Sequence, residues 1–545
     1  MSYQDQAART LALLSATPDW RRVRDLRPDL DDATVTAIVE EAAAFAEGVL
    51  APLNTVADRI GCTVSNGRVV TPDGYGEAFR QFAEAGWLGM DVAEEHGGMG
   101  LPLAVQSACE PLFDRACVAL MMAAGASRAA CHLLASTADA ATKATWIPKL
   151  VAGDWAATIC ISEPEAGSDV GRIRTVARED GGIWRISGQK IWISFGDHDM
   201  TARIGHCLLA RTNAAPGTRG LSLFLAPDRL DDGSRNGVVL ERIEEKMGLH
   251  GSPTCALRFE DAEGILLGAE GRGLSQLFAM IEHMRLQSGG QGLALASAAC
   301  DIAEAYAAER RQGGAPDRPA PPIASHPDVI RQLALMRART EVVRAGVTEI
   351  AAAMDRAAIE PDAADRERLG HFTGFMLPLI KNFGAEAGFN VASAGIQVLG
   401  GVGFTKDWPL EQYLRDSRII SIYEGTTGIQ AIDLLTRRIW RDGGIGFDIC
   451  LERARAEIEA ATVPEAARAR EALATIDALR GAMMELAATP EKGLERADSF
   501  MRAVWSFVSI WLSIRLIEAG CDEDATRRAF PVFLAELEMH DRLCR

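Results

Sequence analysis

The periodicity of apolar residues changes twice along this 545-residue chain, and that double change limits its fold more than any other feature. Up to about residue 155 apolar side chains recur at steps of three and four, as in Asp32 to Asn54 and Tyr75 to Trp87, which predicts amphipathic helices. From about 156 to 265 the step becomes two. Thr175 to Arg178 and Trp184 to Ile186 flank Gly181-Gly182, a hairpin signal, and Cys207 to Ala210, Leu221 to Ala226 and Thr254 to Phe259 follow as short strands. Helical steps then return in Leu274 to Ala308, Val329 to Asp355 and Leu369 to Gln397, and the last hundred residues are again helical. The expected fold is α+β and multidomain. An N-terminal helical domain spans 1–155, a middle β-barrel or sandwich 156–271, and a four-helix-bundle type of domain 272–440, with a helical extension over 441–545. The proline-rich stretch Gly313 to Pro327 reads as a linker.

Composition excludes several classes. A formal net charge of -18 offers no global positive field for nucleic acid or an anionic membrane surface. The eleven cysteines are scattered, with no CxxC pair, so neither a disulfide framework nor a cysteine zinc site is expected. The nine histidines lack metal-ligand spacing, so no metal is expected. The N-terminal MSYQDQAART has no basic stretch followed by an apolar core, so no signal peptide is expected; the apolar run Trp505 to Ile517 is short and broken by Arg515, so no membrane span is expected and a cytoplasmic location is the default.

Four segments carry chemistry. The first is Ile159-Cys160-Ile161-Ser162-Glu163-Pro164-Glu165-Ala166-Gly167-Ser168-Asp169, where backbone beside Gly167 can approach a ring or a phosphate without obstruction and Ser162 offers a hydroxyl. A polar turn is its plain alternative. The second is Gly188-Gln189-Lys190-Ile191-Trp192-Ile193-Ser194, in which Trp192 is either a ligand platform or an ordinary half-buried strand tryptophan. The third runs from Gln397-Val398-Leu399-Gly400-Gly401-Val402-Gly403-Phe404 to Ile419. Its glycines follow a helical pattern at the wrong spacing for a dinucleotide fingerprint. The fourth is Ile422-Tyr423-Glu424-Gly425-Thr426-Thr427-Gly428-Ile429-Gln430, in which the Glu424 carboxylate is either a surface group or a base sheltered from water.

Taken in order, these segments resemble the signatures of the acyl-CoA dehydrogenase family. The resemblance covers roughly residues 35 to 440. It implies FAD as cofactor, contacted by Ile159, Ile161, Ser162, Gly167, Ser168, Trp192, Ser194, Gln312 and Thr426, and by Arg310, Gln397, Gly400 and Gly401 across a subunit boundary. It implies Glu424 as the base that takes the α-proton of an acyl-CoA thioester while a β-hydride passes to flavin N5, giving a trans-2-enoyl-CoA. Substrate contacts are implied for Ser168, Glu282, Arg285 and Gly425. Some members place the base just before an arginine in the first helix of the C-terminal domain. That slot here is Met284, in Glu282-His283-Met284-Arg285, which cannot serve. Departures include Ser162 for the usual Thr, Gln412 for a basic residue, Gly313 for Phe and Gly428 for Gln.

The segments Gly196 to Thr201 and Lys246 to Cys255, with the C-terminal extension, resemble a larger-subunit branch that includes 3-(methylthio)propanoyl-CoA dehydrogenases. The resemblance further implies an electron-transfer flavoprotein as electron acceptor and a homodimer. An acyl-CoA oxidase using O₂, a non-catalytic member acting in binding or assembly, and a flavin monooxygenase are the alternatives.

Overall fold

In a computed structural model describing residues 2–545, the side chain of Ala279 excepted, the three-part order read from periodicity holds: helices, then a β-domain, then helices. By compactness the chain forms two units: residues 1–46, 102–115 and 285–545 in one, residues 47–101 and 116–284 in the other.

The second unit carries the sheet. Its strands are β1 (Thr63–Ser65), β2 (Arg68–Val70), β3 (Trp155–Cys160), β4 (Val176–Asp180), β5 (Ile183–Ser194), β6 (Arg203–Arg211), β7 (Leu221–Pro227), β8 (Val238–Ile243) and β9 (Thr254–Leu267). The hairpin is as the sequence predicts. β4 and β5 pair antiparallel across Gly181 and Gly182, at φ 61° and 86°, the double left-handed turn that only such residues adopt cheaply. The main sheet runs β3-β6-β4-β5-β9-β7, and an added β6–β7 pairing closes β6, β4, β5, β9 and β7 into a ring. The barrel of the two expected alternatives is therefore the one realised. Its interior is mostly apolar, with Ile186, Leu208, Phe224, Leu257 and Phe259 all buried, and encloses a hydrogen-bonded His206–Thr158 pair. The β1–β2 hairpin and β8, absent from the sequence expectation, are short or partly exposed and so carry little alternation to read.

The first unit is helical. Gly273–Glu309, Pro327–Ile359 and Ala363–Leu399 are the long helices expected, each slightly longer than its apolar pattern. Residues 285–309 of the first of them belong to this unit. The predicted linker lies between two of these helices, and His326 at its end joins Nε2 to the Gln312 carbonyl at 2.8 Å. Four C-terminal helices, Ile445–Ala460, Ala466–Glu485, Pro490–Glu518 and Glu523–Cys544, pack on the bundle. Phe447 stacks on Phe375 and Trp505 on Phe383, with ring centroids 4.9 and 5.0 Å apart.

Three helical stretches, Leu103–Thr137, Ala363–Phe404 and Pro490–Glu518, are long and apolar enough by length and composition to cross a membrane. Their most apolar windows are 83%, 44% and 89% buried inside the protein.

Candidate active site

The candidate base sits on a turn between two helices, Leu410–Arg418 and Thr427–Asp433. Glu424 has φ 53° and Gly425 φ 95°, so two consecutive residues are left-handed. A non-glycine residue held there stores on the order of 1–3 kcal/mol, and persists only where its surroundings hold it. Two buried donors do so. Gln430 Nε2 donates to the Glu424 carbonyl at 2.9 Å, and Lys381 Nζ donates to the Gly425 carbonyl at 2.6 Å. A Cβ at Gly425 would lie 2.7 Å from Gln430 Nε2, so the glycine and the glutamine interlock.

Burial raises the Glu424 carboxyl above its ordinary value, opposed by the nearby charges of Lys381 and Arg285. Arg285 is buried and paired at 2.9 Å with Asp433, which also meets Arg437 at 3.1 Å. Tyr423 hydrogen-bonds Gln291, and burial, with Asp114 beside it, drives its phenol well up. Among the described residues no backbone carbonyl accepts the Glu424 N–H. The site thus has a sheltered carboxylate whose proton affinity is raised, on a backbone fixed from behind.

Residues expected to meet the cofactor fall into two groups. In the β unit, β3 leads into the first signature. Glu163 N and Ala166 N each bond the other's carbonyl, at 3.0 and 3.1 Å, making a tight turn over Pro164-Glu165. The Glu163 carboxylate accepts from Arg174 N, Thr175 N and Lys190 Nζ at 2.6, 3.1 and 2.8 Å, and Lys190 also donates to the Ile161 carbonyl at 3.1 Å. Ile191 N bonds Ser162 O at 3.0 Å. The two signature segments are thereby stitched together.

Between Lys190 and Ile193 the β5–β9 register slips. Trp192 there takes φ 64° and is 58% exposed, while Ile191 and Ile193 beside it are buried. A large aromatic is pushed out of the barrel wall instead of packing in it. Ser162 and Ser194 are half-buried, and Gly167 and Ser168 exposed. A Cβ at Gly167 would touch nothing, and its backbone is not left-handed, so neither strain nor crowding within the chain calls for glycine. These features fit a planar aromatic ligand with a phosphate tail: an uncovered ring, flanking hydroxyls and an unobstructed backbone.

In the helical unit, Gln397, Gly400 and Gly401 end the helix Ala363–Leu399 on an exposed turn, and Arg310 and Gln312 are exposed after the helix Gly273–Glu309. Gly401, like Gly167, leaves open space where a Cβ would stand. Thr426 caps the helix Thr427–Asp433, accepting from Ile429 N at 3.4 Å. Glu282 is half-buried. Lys381 and Gln430 were not singled out from sequence. Lys381 is the one charged residue between Phe375 and Phe383, and Gln430 closes the fourth segment, where sequence gives it no role.

One cluster contrasts with the reading of dispersed histidines. Asp91, His132 and His283 offer ligand atoms within 4.8 Å of one another. Yet Arg128 takes the Asp91 oxygen that His132 also meets, at 2.8 and 3.0 Å, and the two imidazoles stack 9° from parallel. Ring lone pairs lie in the ring planes. Those of stacked rings run side by side rather than converge, and a cation would face a guanidinium. The arrangement is an ion-pair network.

Residues 32–154, 158–262 and 271–439 match, in that order, the N-terminal, middle and C-terminal domains of acyl-CoA dehydrogenases. This chain belongs to the acyl-CoA dehydrogenase family. It is 40% identical over 460 residues to 3-methylmercaptopropionyl-CoA dehydrogenase of Ruegeria pomeroyi, covering 82% of this chain and 77% of that protein. It is 36% identical over 441 residues to the broad-specificity linear acyl-CoA dehydrogenase FadE5 of Mycobacterium tuberculosis, covering 77% and 72%. The fold is shared with the acyl-CoA dehydrogenase of Bacillus anthracis solved with FAD, at 22% identity and a TM-score of 0.77. That match covers 95% of this chain and 88% of the other, too much to leave out the C-terminal helices. As a member of the family, this acyl-CoA dehydrogenase is an FAD-dependent oxidoreductase acting on acyl-CoA thioesters.

Proposed function

We propose that Glu424 is the base of the α,β-dehydrogenation, and that the acyl group is 3-(methylthio)propanoyl or a short to medium fatty acyl chain. The observation that carries the first part is the left-handed Glu424–Gly425 turn with both carbonyls held by buried donors and its carboxyl raised by burial. The second part rests on likeness to the Ruegeria enzyme for the methylthio acyl group and to FadE5 for a linear chain.

An α-proton beside a thioester is weakly acidic. The carboxylate that removes it gains from reduced hydration, which raises its proton affinity toward the working pH. The Glu424 N–H, with no backbone acceptor among the described residues, is available to polarise the thioester carbonyl. Gly425 lets the turn close on Gln430, where a side chain would clash at 2.7 Å. Ser162, Gly167, Ser168, Trp192 and Ser194, with Ile159 and Ile161 behind them, hold FAD on the β unit. Arg310, Gln397, Gly400 and Gly401 reach the FAD of a neighbouring subunit, and Gln312 and Thr426 complete the cofactor contacts. FAD, when bound, supplies the acceptor for the hydride leaving Cβ. Ser168, Glu282 and Arg285 serve the CoA moiety, Arg285 as part of its Asp433 pair.

Activity rises with pH through the raised Glu424 pKa, because only the carboxylate accepts the proton. An electron-transfer flavoprotein as acceptor and a cytoplasmic homodimer complete the reading. The eleven thiols suit a reducing compartment. Exposed Val402 and Phe404, the latter 84% exposed, give the glycine turn an apolar surface for a second subunit.

The test is anaerobic flavin bleaching by a panel of acyl-CoAs that includes 3-(methylthio)propanoyl-CoA. Wild type bleaches with its preferred substrate. Glu424→Gln retains FAD and bleaches at least about a hundredfold more slowly, the low end for a positioned base. Near-normal bleaching by this variant removes the assignment, and peroxide release during aerobic turnover points to an oxidase.

A further inference from the structure

The helix Ala363–Leu399 carries a fully buried lysine beside the base. Lys381 lies in the run Phe375–Phe383, where every other residue is apolar except Asn382. A lysine is seldom buried without a purpose, because its ammonium loses hydration. Its head group reaches two things. Nζ is 2.6 Å from the Gly425 carbonyl oxygen and 5.9 Å from the centroid of the Tyr423 ring, the residues on either side of Glu424.

The opposite wall of the turn is Gln430, also fully buried, which donates to the Glu424 carbonyl at 2.9 Å and leans on that of Gly425 at 3.4 Å. Two consecutive carbonyls of a strained turn are thus held by side chains from two different helices. With those carbonyls fixed, the Glu424–Gly425 and Gly425–Thr426 peptides are held in place, and with them the turn that carries the Glu424 side chain.

We infer that Lys381 is a positioning residue for the base: its hydrogen bond to Gly425 O fixes the left-handed turn, and its charge beside Glu424 sets how readily that carboxylate takes a proton. The inference rests on Glu424 being the base. The charged groups facing this pair are Arg285, itself tied to Asp433, and, around Tyr423, Asp114 and Glu110.

Burial lowers the Lys381 ammonium to about 7, opposed by Glu424 and aided by Arg285. Below that pH the ammonium stabilises the carboxylate. Above it the neutral amine still donates to Gly425 O but no longer contributes charge. Arg285 acts on Glu424 from a second helix, yet its guanidinium is already paired with Asp433. Lys381 therefore has the less divided influence.

The experiment compares FAD-loaded wild type with Lys381→Met, Lys381→Arg and Gln430→Leu. Measured are kcat and KM from pH 5 to 9, α-deuterium washout of acyl-CoA in D₂O over the same range, and thermal unfolding. Lys381→Met is expected to lose kcat tenfold or more with little change in KM, since a misplaced base costs rate rather than binding. The acid limb of its kcat/KM profile and of its washout profile moves up by about one pH unit or more, as for a carboxylate losing a neighbouring cation. Lys381→Arg returns that limb toward the wild-type position. Gln430→Leu loses kcat with the limb in place.

A Lys381→Met enzyme with normal kcat, or with reduced kcat and an unmoved acid limb, overturns the inference. If Lys381→Met does not fold, Lys381→Arg decides. With its charge kept and its reach to Gly425 O altered, it must lose kcat while holding the wild-type limb, and a displaced limb overturns the inference. Failure of the underlying assignment shows separately, as washout that survives in Glu424→Gln.

Discussion

Glu163 and Lys190 meet at 2.8 Å with both side chains almost wholly out of water, and each belongs to a different signature segment. Burial lowers the Lys190 ammonium, while the Lys190 charge and hydrogen bonds to Glu163 overcome burial and hold its carboxyl below the usual range. The pair stays ionised because the carboxylate also accepts two backbone N–H groups. Removing one partner strands the other. Lys190→Met is predicted to lose about 3–5 kcal/mol by urea unfolding, the usual cost of leaving a buried charge uncompensated. FAD retention should fall with it, because Lys190 also holds the Ile161 carbonyl beside Ser162. A variant with wild-type stability would contradict this. At this scale the sequence showed the residues but not their partners. Glu163, Lys190 and Glu424 all stood inside quoted motifs, yet the 27-residue reach from Glu163 to Lys190 is set by barrel register. Lys381 and Gln430 act on Glu424 from separate helices, and local spacing does not encode such contacts.

Among elements, legibility followed the strength of the local pattern. The Gly181-Gly182 hairpin and the long helices have signals that need no tertiary context. The closing β6–β7 pairing, the bulge that turns Trp192 outward, and β8 depend on contacts distant in sequence. The C-terminal helices are anchored in a way composition could not reveal. Glu349, fully buried in Pro327–Ile359, accepts from Arg453 at 2.5 Å and Arg515 at 2.6 Å, one from each of two C-terminal helices, and Arg453 reaches on to Asp19. These arginines press the Glu349 carboxyl down to about 2 against the opposing effect of burial. Its folded value lies below the ordinary 4.5, so its contribution to stability is fully present above about pH 4.5 and is lost as pH falls toward 2. Glu349→Gln should therefore lose about 3–5 kcal/mol at pH 7, measured by denaturant titration. The deficit relative to wild type should shrink between pH 4.5 and 2, and a deficit independent of pH in that window would remove the account of the anchor.

For the whole molecule, the sequence order helical, β, helical was enough to recover the architecture, whereas the two compact units interleave in sequence in a way no linear reading anticipates. The exposed Phe404 is the largest uncovered apolar side chain next to the Gly400–Gly401 turn. If that turn meets a second subunit as proposed, Phe404→Asp weakens the dimer and FAD binding together. Light scattering and flavin absorbance of the gel-filtered protein should fall in parallel, and a monomer that keeps its FAD would contradict the shared site.

The central claim is that Glu424 moves the α-proton, and exchange of that proton tests it without requiring turnover. Acyl-CoA incubated anaerobically in D₂O with FAD-loaded enzyme should gain α-deuterium with wild type and do so at least about a hundredfold more slowly with Glu424→Gln at equal FAD content. Exchange by Glu424→Gln at close to the wild-type rate would contradict the account.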